Sequence, residues 1–475
     1  MIENQKNRPV LLIALTLIIV IILSHFLNGV TILGYTVKPV DLFMDIKPDS
    51  LLSYNSGKIQ RNNNFINSTN YNEFTFNKSV LTASVSFNLL HDAFEKPHNP
   101  TNDKVSESSE LDGPANTNVQ ITGNLDQMKY FFNGLKGSRN QQIRVAHYGD
   151  SGVEGDNVTA NIREDLQRQF GGYGVGFLSI TSQDITFRTT TRMSFSDNWQ
   201  TISVLTNNSQ NLPLGINGFV SVPQGNSWVR YATKFSTAKV FYSNAKSSSI
   251  NYSFNDGGVQ SASLKPGNDL KELTLYAPGG NGNSFKLTAT MPNQGYFYGV
   301  SLESGNGVYV DNFPWRGNTG LGFLNISETS FQQFSKMLNY KLIILSFGAN
   351  ETSFGSQDNK WYANQMVKVI NNLKRAFPQT SILLIGVGDR GIKRGTRFVT
   401  DPNIPLLLKV QEDIVSRTGV AFWNLFEAMG GYNSMETWVQ SNYALLDYTH
   451  PSQKGAARIG DMIAKALIDA YQRSN

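Results

Sequence analysis

Apolar residues recur along this chain at a spacing that changes from one stretch to the next. Val10 to Leu23 is apolar throughout except for Thr16, and Lys6 and Arg8 stand ahead of it. About 20 such residues suffice to cross a bilayer, and basic residues in front of the run orient the N-terminus to the cytoplasm. No small-residue cleavage site follows, so residues 1–34 are expected to form a cytoplasmic tip and an uncleaved single-pass transmembrane helix. The rest of the chain would then lie outside the inner membrane. Residues 35–118 are polar and uneven, with Asn62-Asn63-Asn64 and the acidic, serine-containing stretch Ser106 to Asp112. Such a composition buries too little apolar surface to offset the entropy of ordering, and it predicts a largely disordered linker, with Val80 to Leu90 as a short docked piece.

Helical spacing begins with Leu125, Met128, Phe132 and Leu135, with Asn124 placed to cap them. Strand and helix patterns then alternate. Strands are expected at Ile143 to Tyr148, Leu342 to Phe347, Ile382 to Val387 and Val420 to Leu425. Helices are expected at Asn157 to Phe170, Trp361 to Phe377, Leu406 to Arg417 and Ser452 to Tyr471. Short apolar strands alternating with helices predict an α/β fold, a parallel sheet covered on both faces. Between Arg192 and Gly305 the period becomes two, in Lys239 to Ser243, Ile250 to Phe254, Leu273 to Tyr276, Phe285 to Thr290 and Tyr296 to Leu302. That pattern predicts an antiparallel β-sandwich, residues 192–305, inserted between the two parts of the α/β domain, 119–191 and 306–475. The glycine-rich run Gly171 to Phe177 follows a helix instead of linking a strand to one, so it reads as a helix stop and turn and not as a phosphate loop.

Charge and composition mainly exclude. The net charge is +5 over 475 residues and no Lys/Arg run stands out, so no nucleic-acid partner is expected. There is no cysteine, and the histidines are not grouped with carboxylates at ligand spacing, so no metal and no cofactor are expected. A lack of cysteine is compatible with an exported protein without disulfides.

The chemistry concentrates in a few segments. His147-Tyr148-Gly149-Asp150-Ser151-Gly152 follows the apolar stretch Ile143 to Ala146, which puts a serine where a buried strand ends, and α/β sheets hold their reactive groups there. A serine hydroxyl needs a base, normally a neutral imidazole. Of five histidines, His25 lies in the membrane-like region, His91 and His98 in a polar stretch, and His147 on the strand itself as a packed residue. His450 is therefore the base, and Asp447, three residues before it, is placed to fix its tautomer. Between these ends come Gly317-Asn318-Thr319-Gly320 and, after the strand Leu342 to Phe347, Gly348-Ala349-Asn350-Glu351.

In order and content these segments resemble the four blocks of the SGNH (GDSL-type) hydrolase superfamily. The resemblance implies a three-layer sandwich around a parallel sheet, with Ser151 as nucleophile and Asp447 and His450 completing its triad. It also implies an oxyanion hole of the Ser151 and Gly317 backbone N–H groups and the Asn350 side-chain amide. Glu351 stands where the superfamily usually carries Asp. Ala146 to Asp156 (AHYGDSGVEGD), the helix after it, the glycine-rich run and the long interval before Gly317 are similar to the branch of peptidoglycan O-acetylesterases, which carry an inserted β-rich, carbohydrate-binding-like module. In that branch a His follows the nucleophile, whereas here Gly152 does. Trp199, Trp228, Tyr242 and Tyr252 in the insert are candidates for stacking on sugars, the alternative being core positions. Trp315, two residues before Gly317, is a candidate for lining the acyl or sugar subsite.

The expectation is a membrane-anchored serine esterase that removes O-acetyl groups from an extracytoplasmic polysaccharide such as peptidoglycan. A polysaccharide O-acetyltransferase would need the same triad, and a non-catalytic glycan-binding envelope protein is a further alternative. The insert is expected to set polymer preference, unless it serves to cover an apolar face of the catalytic sheet.

Overall fold

The computed structural model describes residues 115–116, 118–289, 295–351 and 356–474, and a pairing of the two-residue strands Thr31–Ile32 and Tyr35–Thr36. The expected anchor at Val10 to Leu23 and most of the expected linker lie outside the described residues. Among the described residues no helix is long and apolar enough to cross a membrane.

Six strands form the central sheet in the order Gly307–Pro314, Gln142–Gly149, Tyr340–Ser346, Ser381–Ile385, Ala421–Trp423, Thr122–Gly123. The first five run parallel and the last is antiparallel. Successive side chains of a strand point to opposite faces, so an unbroken apolar run serves two cores at once. Ala146, Tyr148, Ile343, Leu345, Ile382 and Leu384 enter a core that also holds residues of the helices Glu328–Met337, Ser356–Ala376 and Asn403–Thr418. Ile143, Val145, Leu342, Ile344, Leu383 and Ile385 enter the opposite core, with residues of the helices Lys129–Gly137, Thr159–Phe170 and Gln453–Arg473. Asn124 accepts from the Asp126 N–H as the cap its position predicts, but the first turn, Leu125–Met128, is 3₁₀.

Residues 192–305 contribute to two antiparallel sheets. One contains Trp199–Ser203, Phe219–Pro223, Thr237–Ser243, Lys271–Tyr276 and Tyr296–Ser304, and the other Arg192–Phe195, Ser227–Phe235, Ser248–Phe254, Gln260–Leu264 and Gly282–Ala289. Val229, Tyr231, Phe285, Leu287, Val240 and Val300 fill the space between them. Trp199 and Tyr242 are buried there and unavailable to a sugar, while Trp228 and Tyr252 are partly exposed.

Two features depart from the sequence reading. The run Gly171 to Phe177 does end a helix at Gly171, but Tyr173–Leu178 is a strand, paired with Tyr296–Ser304 of the insert. Its glycines are there for close approach, since a Cβ on Gly176 would lie 2.2 Å from Asp311 Oδ1. The insert is also not a separate body. The core above Ala146 and Tyr148 continues through Phe313 and Phe334 into Phe177, Val220, Phe241 and Tyr298 of the insert sheet.

A buried ion network sits at the same junction. Arg144 donates to both Asp311 oxygens at 2.9 and 2.8 Å, to Glu303 at 2.5 Å and to the Ser301 hydroxyl at 2.7 Å. Burial alone would raise the Glu303 carboxyl, but Arg144 and Lys239 outweigh it and hold it at about 2. Removing Arg144 would strip the buried Asp311 carboxylate of its ion pair and leave Glu303 with Lys239 alone, a loss of about 3 to 5 kcal/mol.

Candidate active site

The C-terminal ends of the parallel strands carry the polar segments singled out in the sequence, the usual place for chemistry in open α/β sheets. The strand Gln142–Gly149 must end in glycine, because a Cβ at Gly149 would lie 2.8 Å from the Ser346 carbonyl of the neighbouring strand. Asp150 then caps a short 3₁₀ segment, Ser151–Asp156, accepting from the Gly152 N–H at 2.8 Å. Asp150 is buried at the edge of an apolar cavity of about 110 Å³ walled by Val153, Phe347, Met429 and Trp438. Burial raises its carboxyl, and N–H groups of Gly152, Ala349 and Gly348 oppose the rise. One carboxylate thus ties the serine segment to the loop that carries Asn350.

Ser151 Oγ lies 3.0 Å from His450 Nε2, and His450 Nδ1 lies 2.8 Å from Asp447 Oδ2. The other Asp447 oxygen accepts from the N–H groups of Thr449 at 2.9 Å and His450 at 3.0 Å. Burial pushes the Asp447 carboxyl up, but the backbone and ring N–H of His450 and the Thr449 N–H outweigh it and hold it below the usual carboxylate range. An ionised Asp447 facing Nδ1 leaves Nε2 as the acceptor for the serine proton. His147, by contrast, is fully buried between the hydroxyls of Thr159 and Ser346, each at 2.9 Å, and burial lowers it to about 3. It is a neutral strand residue.

Gly317 occupies the third position of a turn closed by the Asn318 N–H donating to the Trp315 carbonyl at 2.9 Å, and its φ of 74° is one that glycine adopts without strain. Asn350 Nδ2 donates to the Asn318 carbonyl at 3.1 Å, which binds the two loops to each other. Arg316 Nε sits 3.5 Å from Glu154 Oε2, linking the Gly317 turn to the Ser151 segment. Glu351 is buried beside Asn350, and burial together with the Asp150 charge pushes its carboxyl well above its ordinary value.

Trp315 corrects the expectation placed on it. It is 0% exposed, its indole N–H donates to the Asn217 carbonyl at 2.8 Å, and its ring packs against Tyr148 and Phe323. A large apolar ring in this position gains more from the core than from solvent, and it anchors the Gly317 turn without reaching a substrate.

Sequence reasoning missed the support behind Asp447 and His450. Tyr448, between them, has a φ of 54°, and its ring stacks on Phe398 at 3.4 Å. Its carbonyl accepts from the Gly391 N–H at 2.8 Å. Phe398 and Gly391 belong to a hairpin, Gly391–Arg394 with Arg397–Thr400, whose only forewarning in the sequence is the alternation of Ile392 with Lys393 and Phe398 with Arg397 around Gly395. Among the described residues no group of His, Asp and Glu side chains is arranged to hold a metal ion.

No family model matches the chain, and no curated protein sequence matches it. A peptidoglycan O-acetylesterase of solved structure has the same fold, with a TM-score of 0.62 at 20% identity, over 74% of this chain and 99% of that one. That shared fold is the mixed α/β architecture described above, a parallel sheet with antiparallel sheets. A family two carbohydrate esterase from Cellvibrio japonicus also aligns, over 60% of this chain and 99% of that one, at 11% identity and a TM-score of 0.26, too distant to bear on the argument.

Proposed function

We propose that this protein is a serine esterase that removes O-acetyl groups from a polysaccharide such as peptidoglycan. The observation that carries the reading is the unbroken hydrogen-bond sequence from Ser151 Oγ through the His450 ring to Asp447. In this reading Ser151 Oγ attacks the ester carbonyl while His450 Nε2 takes its proton, and the charge on the carbonyl oxygen is met by the N–H groups of Ser151 and Gly317 and by the Asn350 amide. Collapse breaks the ester bond, and His450 returns the proton to the sugar oxygen that leaves. A water, deprotonated by the same ring, then attacks the acetyl-serine and releases acetate. Asp447 stabilises the imidazolium formed in each half. A peptidoglycan substrate is supported by the acetylated substrate of the structural relative and by the sequence resemblance to that branch.

The Lys6 and Arg8 charges ahead of Val10 to Leu23 support an anchored enzyme whose catalytic domain lies outside the inner membrane. Transfer of the acetyl group to a second sugar hydroxyl would use the same acyl-enzyme, and the outcome turns on whether the acceptor excludes water. Mass spectrometry of O-acetylated muropeptide strands incubated with the protein distinguishes the two. Hydrolysis predicts free acetate with stoichiometric loss of acetyl from the glycan. Acetyl reappearing on an unacetylated acceptor strand with no free acetate would make it a transferase, and an untouched glycan would refute both.

A further inference from the structure

The hairpin that buttresses the Asp447 to His450 loop is strongly basic. Lys393, Arg394 and Arg397 are exposed within five residues, and no acidic residue lies between Gly391 and Thr400. No ion pair or hydrogen bond from the side chains of the three is seen among the described residues. The flanking acids are already engaged: Asp401 pairs with Arg390 at 3.1 Å, and Asp389 accepts from the Met435 N–H at 2.7 Å. With a net charge of only +5 over the whole chain, this is a local concentration and not part of a generally basic surface.

The register sharpens the point. Arg394 and Arg397 are directly opposed across the two-residue turn Gly395-Thr396. Like charges facing each other across strands destabilise a hairpin, so this pairing works against the fold unless an anion lies between them. The stability of the hairpin comes from elsewhere, from Phe398 stacked on Tyr448 and from the Gly391 N–H on the Tyr448 carbonyl. Lys393 is in register with Phe398, so it leaves the hairpin on the side that faces Tyr448, whereas Arg394 and Arg397 leave it together on the opposite face. The hairpin itself rests on Tyr448, so an anion bound to it is bound to the element that supports the loop carrying His450.

We propose that this hairpin binds the carboxylates of an acidic polysaccharide and that the acetylated substrate of Ser151 is such an anionic glycan. The guanidinium fork matches a carboxylate in bidentate fashion, and two forks on one face suit charges repeated along a polymer. The substrate half of the proposal rests on the esterase reading; the binding half does not.

Two measurements on the full chain separate those halves. The first compares hydrolysis of O-acetylated polygalacturonate with that of neutral O-acetylated glucomannan. The wild type should favour the acidic polymer, and R394Q/R397Q should lower that preference about tenfold, chiefly through KM. Raising NaCl from about 0.05 to 0.5 M should erase the preference in the wild type, since screening shortens the reach of exposed charges to a few ångströms. Equal losses on both polymers, or no preference in the wild type, would overturn the substrate assignment. The second is gel retardation of Ser151→Ala protein by unacetylated polygalacturonate, which needs no catalysis. Retardation that R394Q/R397Q and K393Q weaken supports the binding site even if neither polymer is hydrolysed, in which case the esterase reading falls alone. An unretarded protein overturns the hairpin site, and capture by phosphatidylglycerol vesicles without retardation by the polymer would assign the cations to a lipid surface instead.

Discussion

At the scale of single residues, Asn350 combines a proposed electrostatic role with a structural one, because its amide also holds the Gly317 turn through the Asn318 carbonyl. Asn350→Ala should lower kcat about 100-fold to 1000-fold with little change in KM, as loss of an oxyanion donor does. A change confined to KM would make it a substrate-positioning residue. His147 makes a separate prediction about stability. The unfolded chain takes up a proton there near pH 6.5, while the folded chain refuses it until about pH 3. Stability should therefore fall as the pH drops through that window, by up to roughly 4 to 5 kcal/mol from this group alone. Urea unfolding between pH 7 and 4 should show a shallower pH dependence in His147→Gln than in the wild type, and identical slopes would count against the account. The grouping of Ser151, His450 and Asp447 was legible because serine chemistry demands a base and a carboxylate and the chain has few histidines to offer. Trp315 was not, since proximity to Gly317 in sequence says nothing about which way a ring turns, and the Asn217 carbonyl that receives its indole N–H lies 98 residues away.

Among the elements, the parallel strands and their helices could be read from apolar runs because each run feeds two cores. Gly307–Pro314 could not, as Asp311 and Asn312 in its middle imitate a loop; the strand tolerates them because Asp311 accepts from Arg144 and Asn312 donates to the Val153 carbonyl and the Thr159 hydroxyl. The Arg144 network accounts for Gly176, and close backbone approach at Leu302 and Val308 for Gly174 and Gly172, the glycines that disguised Tyr173–Leu178 as a turn. The hairpin at Gly391 was hidden for another reason: it is held by one stacked ring and by hydrogen bonds to Tyr448 and Asn433, and not by an apolar face. That ring keeps Tyr448 in a left-handed conformation that costs a non-glycine residue about 1 kcal/mol. Phe398→Ala should release it and lower kcat about tenfold with KM for a small aryl acetate nearly constant, and Phe398→Tyr should restore the rate. A loss that Tyr does not rescue, or one seen only in KM, would show that the hairpin does not position His450.

In the whole molecule, the insert and the catalytic sheet share one core, so the insert is not a detachable recognition module. Replacing residues 192–305 with a short linker would uncover Phe177 and Phe313 and remove the Glu303 partner of Arg144. The deletion protein should aggregate, as judged by size-exclusion chromatography; a soluble, folded product would restore the module reading. The period-two pattern revealed the sandwich itself, but not that its inner face continues the catalytic core, because strand periodicity identifies a buried face without naming its partner. The claim on which the rest depends is that Ser151 is a nucleophile activated by His450. Incubating the full chain with a fluorophosphonate and mapping the adduct by peptide mass spectrometry tests it most directly. The account predicts one adduct, on Ser151, absent in Ser151→Ala and formed far more slowly in His450→Ala; labelling that persists unchanged in Ser151→Ala, or a folded wild type that is never labelled, would contradict it.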